Sequence, residues 1–333
     1  MSADVFSAIP AAQRERARSA LTAAFGTVSI TAIAAVTGGV SGASTWRVDT
    51  GGRRYLLRIE GTPSPLRNPH QYVSMRIAAE AGIAPSILHI DEASRVALID
   101  FVEQRPLHSF PGGAPALAQA LGELLRWVQG TPAFPEFVTY PNIVTRLWAH
   151  VCRTPLFAPG VLDPVTEHLT RLCEAYVWDQ QALVSSHNDP VPNNILFDGD
   201  RLWLIDWESA YRNDPLVDVA VALDNLARSP ELQGVLLRAW LGREPDEAMR
   251  FRLDQVRALT RLYYAGVMLS ASATVPREAP DTDLAAPTLQ EFQLAVADGR
   301  LKPGALATRH IIGKMLVSSF LTGAMPPGLR AAV

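Results

Sequence analysis

Ser186–Asp206 reads SHNDPVPNNILFDGDRLWLID, and this stretch decides the fold. His187, Asp189 and Asn194 stand in the pattern H-x-D-x-x-x-x-N, followed by an apolar strand (Leu202, Trp203, Leu204, Ile205) that ends in Asp206. Val184 approaches the loop as a strand. Ile195, Leu196 and Phe197 leave it into a short hairpin turning at Asp198–Gly199–Asp200. Kinase-type phosphoryl transfer asks for these parts in this order. One carboxylate meets a hydroxyl, an amide oxygen five residues on helps hold a metal ion, and a second carboxylate anchors that ion under phosphates. A polar loop between strands also collects Asp and Asn, but here the context matches on both sides.

Upstream, Ala11–Phe25 has helical periodicity, with Ala17, Leu21, Ala24 and Phe25 on one face. Ile30–Val36, Thr45–Val48 and Tyr55–Ile59 read as three strands of a twisted antiparallel sheet, with Gly51–Gly52 turning the chain between the last two. Gln71–Ala81 is predicted as a helix stopped by Gly82; Ser86–Ile90 and Val96–Val102 are two more strands. Arg105–Pro115 carries three prolines and two glycines and reads as a connector. Beyond it the pattern is mostly helical. Leu117, Leu121, Leu124, Leu125 and Val128 share a face, and Leu162–Trp178, Pro215–Ala227, Glu231–Leu241, Glu247–Ser272, Thr288–Ala297 and Gly304–Leu321 continue in kind. The expected fold is α+β and two-lobed, with a small antiparallel-sheet lobe over residues 1–103 and a larger, mostly helical lobe over 104–333.

With the loop and these elements in view, the chain resembles the aminoglycoside phosphotransferase and choline kinase superfamily, whose fold is similar to that of protein kinases. The resemblance runs from about Ile33 into the helical region and is strongest in the catalytic loop and in IDWE followed by NDPLVD. The triplet HND and the segments YLLRIEG, AAEAGIAPSILHID and IDWESAYRNDP look closer to bacterial choline/ethanolamine-kinase-like members than to the resistance enzymes. The latter more often carry Gly between the His and the Asp. The resemblance implies ATP and Mg²⁺ as cofactors and a hydroxyl of a small amine-containing molecule as acceptor. An aminoglycoside as acceptor, or a catalytically silent binding protein on the same fold, are the alternatives.

Residue by residue, Asp189 is the group expected to accept or orient the hydroxyl proton. Asn194 and Asp206 are the expected Mg²⁺ ligands, because hard oxygen donors suit that ion. His187 is expected to hold the loop and Asp218, in NDPLVD, to brace it from the next helix. At the nucleotide end, Thr37–Ser44 (TGGVSGAS) lies between two strands, where glycine lets backbone approach phosphates; Gly39, Ser41, Gly42 and Ser44 are the candidates. No Gly-Lys-Ser/Thr follows, so this is not a Walker loop. Arg58 is a cation inside an apolar strand and needs a carboxylate or phosphate partner. In the family this position contacts phosphates and pairs with an acid early in the following helix. Gly61–Ala79 contains no Asp or Glu, so that position falls to His70 or Gln71, of which Gln71 could hydrogen-bond the guanidinium without neutralising it. For the substrate, Glu208, Tyr211, Asp224 and Tyr263 are candidates, since a quaternary ammonium wants aromatic faces and an acid.

Composition sets the outer bounds. The 333 residues are 48% hydrophobic, enough for a large core, and the net charge of −3 supplies no field for nucleic acid or an anionic membrane. No apolar run reaches membrane-spanning length, and with only two cysteines the expectation is a cytoplasmic protein without a disulfide framework. A metal-dependent hydrolase built on His187, Asp189 and Asp206 is the rival chemistry. The other histidines fall in no ligand spacing that would support it.

Overall fold

The structure, a computed structural model, describes residues 5–27, 29–36, 43–61 and 68–323. Helix α1 (Ala11–Phe25) precedes strands β1 (Ile30–Ala35), β2 (Ala43–Thr50) and β3 (Arg53–Glu60). Helix α2 (Gln71–Glu80) crosses to β4 (Ile87–Asp91) and β5 (Val96–Asp100). The five strands form one antiparallel sheet in the order β1-β2-β3-β5-β4. Side chains alternate across its pleat. Trp46, Val48, Leu57, Ile59, Val96 and Leu98 pack with Ala17, Ala20 and Leu21 of α1 in one core. Ala97 and Ile99 turn the other way, into the core that holds α2 and the helical lobe. That second face is the one bearing Arg58, and it is the roof of the candidate site.

The helical lobe contains α3 (Gly113–Gln129), α4 (Tyr140–Cys152), α5 (Asp163–Ala175), α6 (Leu216–Leu226), α7 (Pro230–Leu241), α8 (Glu247–Ser272), α9 (Leu289–Ala297) and α10 (Leu306–Thr322). The predicted helices lie where periodicity puts them, and α8 matches at both ends, started by the Asp246 side chain accepting from Met249 N–H. Two readings need correction. Helix α3 begins at Gly113, inside the predicted connector. Helix α4 lies in a stretch outside the predicted elements, with Tyr140, Val144, Leu147, Trp148 and Val151 as its buried stripe.

Set into this lobe are four short strands: β6 (Val184–Ser186), β7 (Ile195–Phe197), β8 (Leu202–Leu204) and β9 (Tyr211–Asn213), with β6 pairing β9 and β7 pairing β8. An isolated bridge joins Arg105 to Phe197 at the edge of the β7–β8 ribbon. The hairpin turn is fixed by Asp198, which accepts from the Asp200 and Arg201 N–H groups and from Trp203 Nε1. Lobe is tied to lobe by Leu204 N–H on the Ile83 carbonyl, and by Asn68 and Ser74 both donating to the Ala210 carbonyl. Among the described residues no helix is long and apolar enough to cross a membrane, and Cys152 and Cys173 are free thiols.

Candidate active site

The loop between β6 and β7 is held by bonds that use its least interchangeable residues. His187 is fully buried; its Nε2–H donates to the Ile205 carbonyl at 2.9 Å, and its Nδ1 faces the Asp189 N–H at 3.3 Å. Both ring nitrogens are therefore used by a neutral imidazole, and burial holds the ring's pKa down to about 4. The Asp218 carboxylate, buried at the start of α6, accepts from the His187 and Asn188 N–H groups at 2.9 and 2.6 Å. Burial outweighs those two donors and pushes Asp218 up to about 6. Asn188 and Asp206 have positive φ (63° and 65°), a conformation costing about 1–2 kcal/mol per non-glycine residue. The surroundings dictate it at Asn188, whose side chain donates to the Ser209 carbonyl and accepts from Asn213. These contacts set His187 and Asp218, the residues expected to support the loop, against its backbone.

Asp189 projects from this frame, half-buried, with donors on both carboxylate oxygens. Asn194 Nδ2 donates to Oδ2 at 3.0 Å and to the Asp189 carbonyl at 2.9 Å, while the Tyr264 hydroxyl, on α8, donates to Oδ1. A carboxylate so fixed is pre-oriented for an incoming hydroxyl. Tyr264 as a partner of Asp189 is not legible in the sequence. Two adjacent tyrosines sit on α8, and nothing in the sequence says which of them reaches across.

Asn194 and Asp206 are brought side by side because Ile205 N–H donates to the Asn194 carbonyl, extending the β7–β8 ladder by one rung. Asn194 spends its NH₂ on Asp189 and so presents an oxygen; Asp206 presents a carboxylate. Among the described residues no group of three or more His, Cys, Asp or Glu could hold a metal ion. Two hard oxygen donors with the remaining positions left to phosphate and water is how Mg²⁺ is taken at nucleotide sites, so this donor set fits it. The hydrolase alternative, which the histidine spacing already disfavours, also lacks its first ligand, since the His187 Nε2 that would hold a transition metal is occupied by the Ile205 carbonyl.

Above them, Arg58 on β3 reaches three acids. Its Nη2 is 2.7 Å from Asp206 and 3.2 Å from Glu208, and its Nε is 3.7 Å from Glu60. Burial disfavours the guanidinium charge, but Asp206, Glu208 and Glu60 together outweigh it and hold Arg58 above its ordinary pKa. Gln71 does not bond Arg58 as expected. Its Nε2 donates to Glu60 Oε1 at 2.7 Å, because the first turn of α2 lies against the end of β3. Ser44 is a second correction. It pairs with Ile59 on the α1 face of the sheet and its hydroxyl accepts from Gln13, so its side chain is turned away from Arg58. Gly39, Ser41 and Gly42 lie outside the described residues. The Asp100 and Phe101 N–H groups, near the expected adenine contact, are spent on the Ser86 and Arg54 carbonyls.

The substrate candidates divide. Tyr263 sits beside Asp189 and Glu208, whose charges add to burial in raising its pKa, and its ring contacts Tyr140 and Tyr264 at 6.0 and 5.4 Å. Glu208 faces Arg58. Tyr211 lies one layer deeper, 3% exposed and edge-on to Phe137. Asp224 is corrected: its carboxylate is fully buried between Arg257 (Nη2 at 2.5 Å) and Arg261 (Nε at 3.1 Å), tying α6 to α8. Two guanidinium groups already satisfy it.

Comparison with known proteins follows the same lines. LicA of Haemophilus influenzae is 44% identical over 54 residues, a match covering 16% of this chain and 20% of that protein. The crystal structure of choline kinase LicA from Streptococcus pneumoniae superposes with a TM-score of 0.65 at 12% identity, over 94% of this chain and 100% of the other. That of a choline/ethanolamine kinase family protein from Mesorhizobium loti gives 0.58 at 22% identity, over 93% and 98%. These likenesses establish the two-lobed kinase-like fold. With the profile of the phosphotransferase enzyme family matching residues 32–252, which takes in Arg58, the catalytic loop and Asp206, the chain belongs to that family.

Proposed function

We propose that this protein is an ATP-dependent small-molecule kinase that moves the γ-phosphoryl group to a hydroxyl of a small amine-containing acceptor, choline- or ethanolamine-like. The observation that carries this reading is the Asp189 carboxylate, fixed by Tyr264 and Asn194, together with Asp206, which follows the strand bonded to Asn194 and meets Arg58. In this reading residues up to about 103 form the nucleotide lobe and the remainder the acceptor lobe. Nucleotide with Mg²⁺ would supply the transferable phosphoryl group and the charge neutralisation, with Asn194 and Asp206 as protein ligands. Asp189 orients the acceptor hydroxyl and takes its proton, a contribution of about 10²–10⁴ in rate for a positioned base. Arg58 offsets phosphate charge, for which a planar guanidinium is well shaped. Tyr263 and Tyr264 lie by Asp189, and Glu208 stands by Tyr263; aromatic faces with an acid at hand favour a cationic acceptor over a neutral one.

The test is a panel of amino alcohols and aminoglycosides assayed for nucleotide consumption, with Asp189→Ala as control. The expected result is turnover with choline or ethanolamine, lost in the variant while its melting temperature holds. Turnover only with an aminoglycoside moves the acceptor class. A variant as active as wild type removes Asp189 from the chemistry. A protein whose melting temperature is unmoved by saturating Mg-ATP is a silent member of the fold.

A further inference from the structure

Arg58 is a cation of the site, yet its two nearest acids, Asp206 and Glu208, belong to the opposite lobe and stand where nucleotide and metal would compete for them. A largely buried guanidinium that lost both would need a further acid, because leaving a buried charge without a counter-ion is costly. Helix α2 offers it no carboxylate over its first turns. Glu60 lies two residues on along β3, hence on the same face of the pleat, 3% exposed and 3.7 Å from Arg58 Nε. Its Oε1 is gripped at 2.7 Å by Gln71 Nε2 of α2, itself 6% exposed.

We propose that Glu60 is the positioning residue for Arg58: the acid that a following helix would provide is carried on the strand itself, and Gln71 locks it in place. This rests on the kinase reading above. Asp206 and Glu208 can then be drawn away by a bound nucleotide while Arg58 keeps a counter-ion, and the guanidinium stays aimed at the phosphates. The absence of an acid in Gly61–Ala79 is thereby no argument for an inactive protein.

The geometry allows an isosteric test. Glu60→Gln removes the charge and keeps an amide pair with Gln71. The double variant Glu60→Gln/Gln71→Glu restores one acid, displaced by one hydrogen bond toward α2. ADP affinity is read by titration calorimetry, melting temperature by calorimetric scan, and KM for ATP and kcat by steady-state assay. In Glu60→Gln the ADP Kd and the KM for ATP are expected to rise about tenfold, the size of one charge-assisted contact. Its kcat should change less and its melting temperature stay near wild type. The double variant should return both constants to within about threefold of wild type. Unchanged ADP affinity in Glu60→Gln, or a double variant no better than the single one, overturns the inference while leaving the kinase reading intact. If both variants fail to fold, Glu60 is a structural residue and the inference is wrong. A wild type that binds no ADP overturns the functional reading, and this one with it.

Discussion

His187 and Asp218 are buried, titratable and joined through one backbone hydrogen bond, and their pH dependences oppose each other. His187 falls from an ordinary 6.5 to about 4 because burial penalises the imidazolium, so the folded state resists its protonation. Its contribution to stability is complete above 6.5 and is lost as pH falls toward 4, about 3 kcal/mol in all. Asp218 rises from 3.8 to about 6 because burial penalises the carboxylate despite its two N–H donors. Its contribution is complete below 3.8 and is lost as pH rises through 6, again about 3 kcal/mol. Between these limits the two slopes nearly cancel in the wild type.

Single variants should uncover each slope. Asp218→Asn keeps one acceptor for two N–H groups, a penalty of about 1–3 kcal/mol that does not depend on pH. It also deletes the Asp218 titration. Its deficit relative to wild type should therefore be greatest near pH 4.5 and shrink by about 2 kcal/mol by pH 7.5. His187→Gln keeps a donor for the Ile205 carbonyl and deletes the other titration, so its deficit should grow by about 2–3 kcal/mol over the same range. Urea unfolding of the three proteins at half-unit pH steps reads both quantities. Taking differences from wild type removes the background of surface groups. Deficits that stay constant across the range for both variants would refute the reasoning, since neither group would then change its proton affinity on folding.

Three other perturbations probe the same architecture. Tyr264→Phe removes the hydroxyl that donates to Asp189 and keeps the ring; losing one hydrogen bond to a charged group is worth about 1.5–3 kcal/mol, so kcat should fall about tenfold or more with the melting temperature held. A Tyr264→Phe enzyme with wild-type kcat assigns Tyr264 to packing alone. Asp224→Ala strands Arg257 and Arg261 in the interior and should cost about 3–5 kcal/mol by urea unfolding. A stable Asp224→Ala protein with a raised acceptor KM would return Asp224 to the substrate site. Gly122→Ala places a Cβ against the Leu236 carbonyl and the Trp240 nitrogen where α3 and α7 cross, and should cost about 1–3 kcal/mol. Unchanged stability there means the crossing can spread.

What the sequence discloses about this site, and what it withholds, follows the range of the interactions. The H-x-D-x-x-x-x-N loop and the strand ending in Asp206 are legible because their chemistry fixes residue types at short spacing, and a two-stranded ribbon then brings Asn194 next to Asp206. The fate of Asp224 is not legible. Its two arginines lie 33 and 37 residues away, and only the packing of α6 on α8 shows that they converge. Tyr264 is hidden for a related reason: which of two neighbouring tyrosines meets Asp189 depends on the rotation of a 26-residue helix about its axis. Glu60 and Ser44 are different, since the signal was present in the two-residue period of the strands. Position 60 shares a face with position 58, and Ser44 shares one with Trp46 and Val48. An acid for Arg58 stands two residues away on its own strand and not downstream in the helix. A buried cation is met by whichever carboxylate the backbone brings within reach, and on a pleated strand that reach begins at the second residue.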